Sequence, residues 1–144
     1  MLAGVVLGTR PEIIKLSPVV RAFSARGIQQ ILVHTNQHYD RELDEIFFRQ
    51  LNLPPPDYNL NSGAEAQDRR TGLMAQGVEQ ALLHCEPDLV VVQGDTNSTL
   101  AGALAAAKLG ISIAHVEAGL RSFDRSMPEE NNRVATDHLS RWLF

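Results

Sequence analysis

The sequence predicts a doubly wound α/β domain built on a mostly parallel sheet. Three observations predict it. Runs at 2–7, 29–35, 89–92 and 111–116 read as strands, and the apolar, β-branched Leu89–Val92 reads as buried on both faces, as parallel strands are. Segments with apolar residues at helical spacing separate those runs, so strands and helices alternate along the chain. Polar, chemistry-bearing residues follow the runs, where open α/β sheets bind ligands.

Composition sets the bounds. The chain has 144 residues, 44% hydrophobic and 21% charged, with a formal net charge of −4, which suits one soluble globular domain. No Lys/Arg cluster occupies one expected face, so no nucleic-acid partner is expected. The single cysteine, Cys85, excludes an internal disulfide and fits a reducing compartment; on a helix it reads as a small apolar residue. Lys108 interrupts the longest apolar run, so no membrane span is expected. The short apolar N-terminus has neither a basic segment nor a cleavage site, and a cytoplasmic location is the default expectation. The chain closes inside an apolar run, Arg141-Trp142-Leu143-Phe144, which suggests a part of a larger protein.

Leu2 to Leu7 leads into Gly8-Thr9-Arg10-Pro11-Glu12. Thr9 with Glu12 is a capping-box pattern, and Pro11 suits a first helical turn. The helix carries Ile13, Leu16, Val20 and Phe23 on one face, and Pro18 should kink it by removing the bond to the Ile14 carbonyl. A strand end feeding a helix N-terminus offers free N–H groups to an anion. Arg10 stands at that mouth with Lys15 in reach, unless either is an ordinary surface cation. The glycine spacing matches neither a dinucleotide fingerprint nor a Walker loop, so neither NAD nor ATP is inferred.

The run from Gln29 to Thr35 ends in the polar loop Asn36-Gln37-His38-Tyr39-Asp40, which lacks a recognised metal-ligand spacing. Leu43, Ile46, Phe47 and Leu51 mark a short amphipathic helix. Pro54-Pro55-Pro56 is a stiff connector and not a domain boundary. Ser62 and Glu65 form a second capping box, ahead of a helix that packs Met74, Val78, Ala81, Leu82 and Cys85. Arg69 and Arg70 lie near its start, where the helix dipole disfavours cations, so they face an anion, another chain or solvent.

The central unit runs from Pro87 to Ser122. Leu89 to Val92 is the strand, Asp95 and Thr96 occupy the N-cap region, Leu100 to Leu109 is the helix, and Gly110 ends it. A second strand follows, then Glu117. Neighbouring strands lie roughly 4.8 Å apart, so acids at matching ends can share one small ligand. The plainer alternative makes Asp95 a cap and Glu117 a solvated loop acid. Ser126 with Glu129 is a third capping box, opening a helix with Ala135, Leu139 and Trp142; that role accounts for Glu129 by itself.

Five stretches together resemble the non-hydrolysing UDP-N-acetylglucosamine 2-epimerases: GTRPEIIKLSPV at 8–19, TNQHYD at 35–40, GDTNSTLAGALAA at 94–106, HVEAGLRS at 115–122 and MPEENNR at 127–133. The resemblance covers essentially the whole chain and implies two Rossmann-like halves in a glycosyltransferase-B-like arrangement. Residues 1–144 would be the N-terminal half, and a C-terminal UDP-binding half would be absent. It implies inversion at C2 of UDP-N-acetylglucosamine by elimination and re-addition of UDP, with no cofactor and no metal, in a homodimer when full length. Arg10, Lys15, Asp95 and Glu117 match substrate-contacting positions. Asp95, Glu117 and Glu129 match acidic positions linked to catalysis, and Gln37 and His38 match a regulatory UDP-N-acetylglucosamine site of bacterial members. Tyr39-Asp40 departs from that regulatory neighbourhood. By this reading the 144 residues alone do not turn over.

The rival readings are the sister epimerase acting on UDP-2,3-diacetamido-2,3-dideoxyglucuronate, a hydrolysing epimerase, a glycosyltransferase, and a non-catalytic sugar-nucleotide binding module. Thr9 and Glu12, in Gly-Thr-Arg-Pro-Glu, favour the N-acetylglucosamine branch.

Overall fold

The computed structural model describes residues 1–36, 41–60 and 67–144, without the side chains of 41–44 and 67–70. Its elements are β1 (Leu2–Leu7), α1 (Arg10–Ala25), β2 (Gln29–His34), α2 (Arg41–Gln50), β3 (Tyr58–Asn59), α3 (Gln67–Cys85), β4 (Leu89–Gln93), α4 (Asn97–Lys108), β5 (Ser112–Val116), α5 (Pro128–Leu139) and β6 (Trp142–Leu143). The strands pair in parallel in the order β3-β2-β1-β4-β5-β6. That is the Rossmann order, and the expected doubly wound sheet is present.

Strand alternation sorts the core into two layers. Val5, Leu7, Leu32, Val91 and Ala114 meet Ile13, Leu16 and Val20 of α1 and Phe48 of α2 on one face. Val6, Val33, Val90, Val92 and Ile113 meet Val78 and Leu82 of α3 and the alanines of α4 on the other. Gly102 lets α4 lie close to the sheet, since a Cβ there would stand 2.9 Å from Val92 Cγ1 and 3.1 Å from Val6. Gly8 is tighter still: a Cβ would fall 2.0 Å from Thr35 Oγ1 and 2.2 Å from Ser98 Oγ, whose hydroxyls bond each other at 2.7 Å.

Several expectations need correcting. Trp142 is not helical. α5 stops at Leu139, and residues 141–144 pair along β5 through Arg141 N–H to Ile113 O and Phe144 N–H to His115 O, each 2.9 Å. The buried face of α5 is polar, made by Glu130, Asn132, Thr136 and Asp137, while Leu139 is exposed. On α2, Phe47 and Leu51 pack against the core as expected, but Phe48 is the buried residue and Ile46 is exposed; the Leu43 side chain lies outside the described residues. Cys85 is a half-buried free thiol at the end of the α3 stripe. β3 was not anticipated; two residues are too short for a periodic signal.

The capping expectations divide. Thr96, not Asp95, caps α4, its hydroxyl accepting from Thr99 N–H at 3.2 Å. At α1 the box is half formed: Glu12 reaches back, but to Gly8 N–H at 2.9 Å, and the Thr9 hydroxyl donates to Glu12. At α5 the N-cap is Met127, and Ser126 bonds Asp124 instead of Glu129. Ser62 and Glu65 lie outside the described residues. α1 runs continuously through Pro18, and the Ser17 hydroxyl donates at 2.9 Å to the Ile14 carbonyl that Pro18 leaves without its amide partner. No helix among the described residues is long and apolar enough to cross a membrane.

Candidate active site

The winding direction reverses between β1 and β4. α1 leaves β1 toward one face and α4 leaves β4 toward the other, so their N-termini diverge and open a crevice. A hollow of about 170 Å³ occupies it. Thr9 lines it from the N-cap of α1, Glu12 and Lys15 from α1 itself, Gln93, Asp95 and Thr96 from the end of β4, Glu117 from beyond β5, and Arg133 from α5.

The two acids that end the central strands do meet there. β4 and β5 run in register with Gln93 opposite Val116, which puts Asp95 and Glu117 at adjoining strand tips on one hollow. Glu117 is held at φ 65°, in the left-handed region, which costs a non-glycine residue about 1 kcal/mol. Its Oε2 takes Lys15 Nζ at 2.6 Å and also the Gln93 side-chain amide. Asp95 Oδ2 takes Arg133 Nη2 at 2.7 Å, and the other arm of Arg133 binds Glu130 at 2.9 Å. The Asn132 amide donates to the Asp95 carbonyl at 2.9 Å. Each acid is therefore held by one cation, Lys15 from α1 and Arg133 from α5. An anionic ligand can compete for those cations and free the carboxylates for proton transfer.

Glu12, expected only as a capping acid, lies 1% exposed in the wall of the hollow. Its Oε1 accepts from the Thr96 and Thr99 hydroxyls at 2.7 and 3.1 Å, tying α1 to the start of α4. Burial pushes its carboxyl up, against the bonds from Thr96, Gly8, Thr9 and Thr99 that hold it down.

Other expected residues fall elsewhere. Arg10 opens α1 but is exposed, its guanidinium 5.7 Å from the Phe47 ring centroid, outside the lining of the hollow. Glu129 is exposed on the first turn of α5 and also outside that lining. Gln37 and His38 lie outside the described residues, as do the side chains of Arg69 and Arg70. A larger hollow, about 460 Å³, opens beyond β2 beside Phe48, Arg49 and Pro56. His34, in its wall, has an imidazole pushed down to about 4 by burial, against a bond from Asn36.

Arg133, Asn132, Gln93 and Glu12 were missed as site residues. For Arg133 a signal existed: Glu130, Arg133 and Asp137 recur at helical spacing as a polar stripe. Among the described residues, no group of three or more His, Cys, Asp or Glu side chains could hold a metal ion.

Comparison with known proteins adds a family. Residues 21–144 match the family model described as UDP-N-acetylglucosamine 2-epimerase. A UDP-N-acetylglucosamine 2-epimerase of Methanocaldococcus jannaschii is 60% identical over 144 residues, all of this chain and 39% of that protein. The UDP-2,3-diacetamido-2,3-dideoxy-D-glucuronate 2-epimerase of Pseudomonas aeruginosa is 50% identical over 140 residues, 96% of this chain and 40% of that protein. The crystal structure of the Methanocaldococcus jannaschii UDP-GlcNAc 2-epimerase in complex with UDP-GlcNAc and UDP superposes with a TM-score of 0.95, over 100% of this chain and 40% of that one, at 60% identity. A Streptomyces glycosyltransferase, at 18% identity, 80% of this chain, 38% of that one and a TM-score of 0.50, shares the fold alone. The chain thus spans about two fifths of the length of these relatives.

Proposed function

We propose a function from one premise: the chain belongs to the UDP-N-acetylglucosamine 2-epimerase family. Residues 1–144 form the N-terminal Rossmann-like half of a two-domain enzyme that interconverts UDP-N-acetylglucosamine and UDP-N-acetylmannosamine without net hydrolysis. The C-terminal half supplies the remaining UDP contacts, and the full-length protein works as a cytoplasmic homodimer.

One carboxylate removes the C2 proton while the C1–O bond to UDP breaks, leaving a glycal and free UDP. A proton then returns to C2 on the opposite face, and UDP re-forms the C1–O bond. Such a course needs acids on both sides of the sugar and cations beside the pyrophosphate. Asp95 and Glu117 are the acids; Lys15 and Arg133 are cations that line the same hollow. Arg10, exposed at the first residue of α1 and outside that lining, is assigned to the substrate's phosphates on the family pattern alone. Glu129 is the third acid, and its place rests on the family pattern, as do Gln37 and His38 at a regulatory sugar-nucleotide site. The observation that carries the proposal is the common hollow of Asp95 and Glu117, with a separate cation on each.

The test uses the full-length protein in heavy water. UDP-N-acetylglucosamine should acquire deuterium at C2 as the epimer forms. Asp95→Asn and Glu117→Gln should each lower turnover by about 10²-fold or more. Transfer to an acceptor without C2 exchange would make the protein a glycosyltransferase. Wild-type turnover in both variants would leave a binding module. Assay of UDP-2,3-diacetamido-2,3-dideoxyglucuronate in parallel separates the two epimerase branches, of which the 60% relative favours the first.

A further inference from the structure

His115 lies on β5 on the same side of the sheet as Ile113, and it is fully buried, 0% exposed. Both ring nitrogens have partners, and both partners are acceptors. Nδ1 stands 2.6 Å from Asp137 Oδ1, and Nε2 stands 2.7 Å from the Gly94 carbonyl. A neutral imidazole carries one N–H and can satisfy one of them. A proton on Asp137 would resolve the conflict, but that carboxylate is otherwise committed: its Oδ2 takes Arg121 at 2.6 Å and the Gly119 N–H at 3.1 Å. Burial works against the Asp137 charge, yet the bonds from Arg121 and His115 prevail and hold its carboxyl below the ordinary range. Two acceptors thus face a ring that has one N–H when neutral.

We propose that His115 is a buried imidazolium and a positioning residue for Asp95, fixing the Gly94 carbonyl and with it the peptide that carries the acid. This deepens the epimerase reading and rests on it for the role of Asp95. The Gly94–Asp95 turn is gripped at three points from the β5–α5 side. His115 holds the Gly94 carbonyl, Asn132 the Asp95 carbonyl, and Arg133 the Asp95 carboxylate. The backbone bond is charge-assisted, hence stronger than a neutral one. The other charged groups around it are Arg121 on the loop after β5, Asp137 and Arg133 on α5, Asp95 next to its acceptor, and Glu117 just past the end of β5. Sequence alone offers His115 as one more polar residue of a strand; only the two acceptors give it a charge.

The test reads the ring directly. Full-length protein labelled with ¹⁵N in its histidine rings is examined by NMR at pH 7, with His115 assigned by its loss in His115→Gln. Two protonated ring nitrogens are expected. Asp137→Asn lets the new amide donate to Nδ1 while its oxygen keeps Arg121 and Gly119. The ring can then be neutral and still donate to Gly94, so one protonated nitrogen is expected. With UDP-N-acetylglucosamine, that variant should lose about 10-fold in kcat with KM little changed, because a loosened acid is felt most in the transition state. A singly protonated ring in the wild type overturns the charge. A neutral ring in Asp137→Asn with unchanged kcat overturns the positioning role. The wild-type spectrum stands whether or not the protein epimerises, so failure of the functional reading is told apart from failure of this one.

Discussion

α4 and α5 pack side by side yet bury opposite kinds of surface. α4 turns Ala101, Gly102, Ala103, Ala105 and Ala106 inward, with Ser98 and Thr99 only at its start. α5 turns Glu130, Asn132, Thr136 and Asp137 inward. The first face gains stability from removing apolar area and from close approach to the sheet. The second gains none that way, and each polar group must find a partner to offset its desolvation. For Glu130, Asn132 and Asp137 those partners are the Ser122 and Phe123 amides, the Asp95 carbonyl, Arg121 and His115, whereas the buried Thr136 hydroxyl has none among the described residues. The inner face of α5 is thus a clamp on the loops that carry Asp95 and Glu117. One helix stabilises the fold; its neighbour orders the site.

The contrast can be broken at either helix. Gly102→Leu forces side-chain atoms against Val92 and Val6 and should cost about 3 kcal/mol in denaturant unfolding, with turnover per folded molecule unchanged. A variant equally stable but inactive would mean that α4 also orders the site. Arg133→Gln should do the reverse in full-length enzyme. Its turnover falls about 10²-fold while stability moves by roughly 1 kcal/mol, since the lost groups face a partly open hollow. Unaltered turnover would remove α5 from the chemistry.

Acid gives the smallest and sharpest separation. Asp137 and Glu130 both sit below the ordinary carboxylate range in the fold. For Asp137, burial is outweighed by Arg121 and His115; for Glu130 the Ser122 amide leads. Their contribution is present above about pH 4 and lost as pH falls further. Glu12 has the opposite sign. Its carboxyl is raised by burial, so its contribution is complete below its unfolded value and lost only as pH rises. The loss of denaturant midpoint below pH 4 therefore falls on α5 together with Asp124 on the loop before it, whose carboxyl the Ser126 hydroxyl and amide hold low, and Asp137→Asn should lessen it. An unchanged slope in that variant would assign the acid sensitivity elsewhere.

The same contrast explains what could be read from the residue order. Leu89-Val90-Val91-Val92 and the Ile13, Leu16, Val20 stripe announce themselves because burial and hydrophobicity coincide there. Asp95 and Glu117 were legible because they end such runs. α5 was misread because apolar spacing equates polar with exposed, so Trp142 and Leu139 were put on its inner face and Asp137 was passed over. Glu12 fitted a capping box so well that its bonds to Thr96 and Thr99, 84 and 87 residues away, had no sequence signal. Arg10 and Glu129 carried motif weight that this geometry does not convert into a wall of the hollow.

Ser17 and Pro18 have a consequence for how the first helix can change. With proline in place, the Ile14 oxygen lacks the amide of residue 18 and takes the Ser17 hydroxyl; with alanine at 18, a main-chain amide would serve it and the hydroxyl would be spare. The two positions are thus bound to an order of replacement. Losing the imino acid first makes the serine dispensable, whereas losing the serine first leaves that carbonyl, on the exposed side of the helix, to water alone, so a path through sequence space is smoother in one direction than in the other.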